Sequence, residues 1–216
     1  MRTLQLFIVL FFFVGCNEHK TLVAPIEIPL NARVDTIRLL DSLGYVTISI
    51  PNRYDTFFQW RHTSDCYGCG MEKHRYQPSS LRVFKESGFY YTGEPKDSIE
   101  QMTLFYSEKH PFIHTIDSND MKRLHLQIKA NYKMEYNVTA DSVEKINDRY
   151  FSIVVIDQFD TSKNQFIKKV MAETTIRANQ VRIQYELLTK VNDSICRNFI
   201  RNSRILLRTI RFSNGI

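Results

Sequence analysis

Residues 150–156 read Tyr-Phe-Ser-Ile-Val-Val-Ile, a run in which both alternating sets of side chains are almost wholly apolar. Successive side chains of a strand point to opposite faces, so such a run is stable only where both faces are covered. This one segment therefore demands a sheet with a layer on each side. Nearby runs supply partners for it. Residues 166–176 and 181–188 are β-rich and turn around Ala178 and Asn179, which predicts a hairpin. Residues 45–50 alternate up to a stop at Pro51. Residues 56–63 and 72–77 flank the turn-forming tip Asp65-Cys66-Tyr67-Gly68-Cys69-Gly70 and predict a further hairpin. With Cys66 opposite Gly70, its register sets Trp60 across from Tyr76 and His62 across from His74. Residues 81–84 with 89–92 read as another hairpin, and 102–106 as one more strand.

Two segments carry helical periodicity. In 120–133, Met121, Leu124, Ile128 and Tyr132 share a face, with Ser118 or Asn119 available as cap. Residues 194–210 form a longer helix capped by Asp193 or Ser194. Residues 34–42 suit a short helix. The fold class expected is α+β: a mostly antiparallel sheet of hairpins packed by two helices, the last one C-terminal, in a single domain over 34–216. The strand ending in Pro51, the closing hairpin and the last helix with Phe199, Ile205 and Leu206 resemble the PsbP-like sandwich fold. That resemblance implies a non-catalytic accessory or binding module.

The N-terminus carries an address. One charge, Arg2, precedes an unbroken apolar run over 6–14, and Gly15-Cys16 closes it. Nine apolar residues are too few to span a bilayer as a helix and match the central region of a secretory signal. Phe13-Val14-Gly15-Cys16 resembles the lipobox of bacterial lipoproteins, with Phe13 where Leu is usual. The resemblance implies that 1–15 is a signal peptide, that cleavage precedes Cys16, and that the Cys16 sulfur and amine are acylated with palmitate-type chains. It further implies a place in the bacterial cell envelope. By resemblance to enteric lipoproteins, Asn17 implies the outer membrane, facing the periplasm or the cell surface. Residues 16–33, with Pro25 and Pro29, then read as a tether. The alternative is an ordinary cleaved signal in which Cys16 is incidental.

With net charge +6 over 216 residues, the chain is only moderately basic, and no nucleic-acid partner is expected. Cys66-Tyr-Gly-Cys69 allows three chemistries. A disulfide suits an exported protein. Zinc would need two more ligands, for which His62 and His74 are the nearby candidates. Redox catalysis would need an activated thiolate, usually in a βαβ setting. Cys196 reads as a lone buried thiol. On the last helix Arg197, Arg201, Arg204, Arg208 and Arg211 are spaced 4, 3, 4 and 3 apart, and from 163 to 211 there are eleven basic and three acidic residues. Such a stripe either binds an anionic surface or an acidic partner protein, or is a solvated face paired with acids on neighbouring strands. No nucleophile elbow, phosphate loop, His-Glu-x-x-His or dinucleotide fingerprint is present. The function expected is therefore that of a membrane-anchored exported lipoprotein acting as a non-enzymatic binding or accessory module with no cofactor. The second reading is an exported metal-binding or thiol-redox protein centred on Cys66 and Cys69.

Overall fold

The structure is a computed structural model and describes residues 31–39, 43–62, 70–83, 98–107, 117–177 and 179–213. Its elements run β1 (Ala32–Leu39), β2 (Gly44–Pro51), β3 (Thr56–His62), β4 (Met71–Gln77), β5 (Ile99–Ser107), α1 (Ser118–Lys133), β6 (Val138–Ile146), β7 (Arg149–Asp160), β8 (Gln165–Ile176), β9 (Asn179–Thr189), α2 (Ser194–Leu207) and β10 (Arg211–Ser213). They build two antiparallel sheets, of three strands in the order β1-β2-β10 and of seven in the order β3-β4-β5-β9-β8-β7-β6.

The α+β expectation is overturned. Strands hold 58% of the described residues and helices 20%, and the second layer is largely another sheet. The reason lies in two segments. Residues 32–39 are a strand of period two: Ile37 and Leu39 are buried while Thr36 and Arg38 are exposed. The short helix expected at 34–42 is thus β1, which starts within the stretch read as tether. The other segment is β10. The last helix stops at Leu207, and the chain turns back so that Phe212 pairs with Val46 on β2. The Thr209 hydroxyl fixes that turn, accepting from the Ser49 amide at 2.9 Å and donating to the Leu206 carbonyl at 2.7 Å.

One core joins the two sheets. Val46, Ile48 and Ile50 of the small sheet meet Met102, Leu104, Ile183 and Phe151 of the large one, and α2 adds Phe199, Leu206 and Leu207 beside β2, β8 and β9. Each fully buried aliphatic side chain of this kind contributes about 1.5–3 kcal/mol. The opposite face of the large sheet carries α1, whose Ile128 packs on Val154, Ile156 and Met171. Residues 151–156 are all buried, so the double cover demanded by the sequence is present. The hairpin β8/β9 also stands as expected, with Ile176 opposite Asn179. Asn147 takes φ of 57° in the tight β6/β7 turn, a left-handed conformation that asparagine adopts more readily than most residues. Of the hairpin expected at 81–84 and 89–92, residues 81–83 are not strand and 84–97 lie outside the described residues.

Candidate functional site

The β3/β4 hairpin decides where the polar candidates sit. Its register pairs Phe57 with Tyr76, Gln59 with His74, Trp60 with Lys73 and His62 with Met71. This differs from the expected register by three residues. An odd shift in the pairing exchanges faces. His62 and His74 therefore lie on opposite faces of the hairpin, and the structure does not bring them together. Cys66 and Cys69, like Cys16, lie outside the described residues. Among the described residues no three His, Cys, Asp or Glu side chains gather as a metal site. Cys196 is free and buried, and burial raises its thiol pKa.

His74 faces the small sheet. There β1 and the β3/β4 hairpin bound a cleft of about 660 Å³ lined by Asp35, Arg38, Phe57, Gln59, His74 and Tyr76, with Arg33 at one end. The Tyr76 hydroxyl donates to Asp35 Oδ2 at 2.9 Å and ties the two sheets across it. Burial first, then Asp35, raises the Tyr76 phenol well above its usual range. Arg33 donates to the carbonyls of Tyr54 and Pro51, which fixes β1 to the chain after β2. Phe57 is 46% exposed and forms an aromatic wall, with its ring 4.8 Å from Tyr76 and 6.1 Å from His74. On the far side of His74, Tyr106 stacks at 6.1 Å.

The imidazole at the floor is the unusual group. His74 is 2% exposed, and neither ring nitrogen has a hydrogen-bond partner among the described residues. Buried polar atoms are nearly always satisfied, so an orphaned one needs a reason. Burial lowers its pKa to about 4, which keeps the ring neutral, with one nitrogen as donor and the other as acceptor. The cleft thus offers an aromatic wall, a carboxylate, a rim guanidinium, an amide and an unsatisfied imidazole.

The arginine stripe is shorter than the spacing suggested. Arg208 caps α2 and Arg211 lies in β10, so the regular spacing crosses a chain reversal. Glu144 of β6 pairs with Arg204 and lies 3.8 Å from Arg208. Arg197 donates to the Asn192 carbonyl at 2.7 Å and Arg211 to the Ile210 carbonyl at 3.1 Å. Arg197 and Arg201 remain exposed.

Two polar groupings escaped the sequence reading. On the α1 side of the sheet, Arg182 bridges Glu173 at 2.6 Å, Tyr132 approaches Glu173 at 3.4 Å, and Lys169 bridges Glu186 at 2.9 Å. Glu173 is fully buried. Their period-two spacing on β8 and β9 is the signal of a polar face, yet α1 covers part of it. The other grouping is serine, histidine and aspartate in series. Ser152 Oγ is 2.8 Å from His125 Nδ1, His125 Nε2 is 2.9 Å from Asp141 Oδ2, and Lys129 bonds the same carboxylate. The hydrogen bonds from Lys129 and His125 hold the Asp141 carboxyl below its usual range. Ser152 is wholly buried beneath α1, with no surface from which to attack a substrate. The series pins α1 to β6 and β7. Compared with known proteins, the chain matches no family model and no curated protein.

Proposed function

We propose that this chain is a membrane-tethered binding module of the bacterial cell envelope that holds a small polar ligand in the cleft between its two sheets. The observation that carries the reading is His74: a buried, neutral imidazole, both nitrogens of which have no partner among the described residues, at the floor of a lined cleft. Burying such a group costs free energy unless something completes its hydrogen bonds. A base used in catalysis is instead oriented by a hydrogen-bonded partner, and His74 has none among the described residues. The ligand that fits has an apolar face for Phe57 and both donors and acceptors, as a sugar or a hydroxylated amino acid has. The tether rests on the lipobox-like 13–16 and acylation of Cys16, and the exposed Arg197 and Arg201 suit an anionic membrane surface beside it.

Histidine ring signals recorded by NMR during titration with a panel of monosaccharides, disaccharides and amino acids test the cleft. At least one compound is expected to move the His74 ring, and Phe57→Ala is expected to weaken its binding. A panel that leaves His74 unmoved while binding elsewhere contradicts the reading. Metabolic labelling with a palmitate analogue tests the tether. The wild type should be marked and Cys16→Ser unmarked; equal labelling of both removes the anchor.

A further inference from the structure

A second cavity lies at the start of β1, between the end of the small sheet and α2. It has a volume of about 390 Å³. Its mouth is formed by the exposed Asn31, Arg53, Asn202 and Ile205. Its inner walls are the buried Pro51, Tyr54, Phe199 and Leu206, and Tyr185 of β9 lines it from the large sheet.

Its polar lining is the exposed Asn31 and Asn202, the paired Arg53, and three buried hydroxyls, those of Tyr54, Tyr185 and Ser203. Arg53 bonds Glu100, and the Tyr54 hydroxyl bonds Glu100 as well. The Tyr185 side chain is 1% exposed, and its hydroxyl has no partner among the described residues. Burial raises the phenol pKa far above the physiological range, so the group stays protonated and can both donate and accept. Phe199 and Leu206 give the pocket an apolar wall, and the buried Tyr185 and Ser203 hydroxyls give it neutral polar points. With Arg53 already paired to Glu100, an uncharged guest suits it better than an ion, which would lose its hydration without gaining a partner.

We infer that this pocket binds an uncharged aromatic or alicyclic molecule bearing one hydroxyl or carbonyl, whose oxygen meets the Tyr185 hydroxyl while its body packs against Phe199 and Leu206. The site is separate from the His74 cleft and stands whether or not that cleft binds a ligand.

Paired probes test it on the purified protein. Binding of 2-naphthol and of naphthalene is compared by ligand-observed NMR in the wild type and in Tyr185→Phe. The wild type should prefer 2-naphthol by roughly five-fold, the worth of one buried hydrogen bond. Tyr185→Phe should bind both probes equally, retaining affinity for naphthalene. Because the hydroxyl has no partner to lose among the described residues, the variant should melt at the wild-type temperature or above it. Failure of both probes to bind overturns the inference, as does a preference for 2-naphthol that persists in Tyr185→Phe. A lowered melting temperature of the variant also overturns it, by showing that the hydroxyl is bonded within the fold.

Discussion

At the scale of single residues, the informative side chains are buried polar ones, which sequence patterns describe poorly. His74 was legible as a histidine near a hairpin tip, but its face depended on a register that the turn residues did not fix. Its burial has a measurable consequence. The unfolded ring takes its proton near 6.5, whereas the folded ring resists until about pH 4. Stability is therefore whole above pH 6.5 and falls as pH drops toward 4, by about 3 kcal/mol at one proton per chain. Urea unfolding of the wild type and His74→Phe at pH 7 and pH 4.5 checks this. The variant should lose less stability on acidification, and identical losses would show that His74 is not the group responsible. Glu173 makes a second case. It is fully buried and neutralises Arg182. Glu173→Ala leaves that guanidinium uncompensated and should cost about 3 kcal/mol in the same assay at pH 7. A loss under about 1 kcal/mol would mean that solvent or another group already serves Arg182.

At the scale of elements, the long periodic segments were legible and the short ones were not. Helix α1 was readable from Met121, Leu124 and Ile128, although its cap is Asp117, one residue before the candidates, accepting from the amides of Asn119 and Asp120. Helix α2 was readable from its apolar arc and from Asp193, whose side chain accepts from the Cys196 amide. Three-residue β10 carries no period of its own and exists because Thr209 and the β2 edge hold it. Thr209→Val keeps the shape, removes both hydrogen bonds and strands a buried amide, so a loss of about 1–3 kcal/mol is expected by thermal or urea unfolding. The arginines divide by partner. Arg201→Gln should change stability by less than about 0.5 kcal/mol, as surface substitutions do. Arg204→Gln, which removes the pairing with Glu144, should cost about 1 kcal/mol more than that. Equal effects would mean that the Glu144 pairing contributes nothing.

At the scale of the whole molecule, 151–156 is covered on both faces, as its sequence requires, but the covering layers differ from those expected. Helix α1 does cover one side. On the other side the small sheet takes most of the role given to helices, because 32–39 alternate with a period of two and the C-terminal turn returns a strand to β2. Neither cue rises above its surroundings in a single sequence, since Ile37 and Leu39 alone fit a helix end as well as a strand. Both candidate cavities border that small sheet, one along β1 and one at its start. Closure of β1 over the hairpin is thus the central structural claim, and the Tyr76 to Asp35 hydrogen bond is its most direct reporter. A double-mutant cycle with Tyr76→Phe and Asp35→Ala, measured by urea unfolding at pH 7, tests it. Closure predicts a coupling of about 1–2 kcal/mol, as expected for a hydrogen bond to a charged acceptor. Additivity within about 0.3 kcal/mol would mean that the two side chains do not meet and that the cleft is not formed as described.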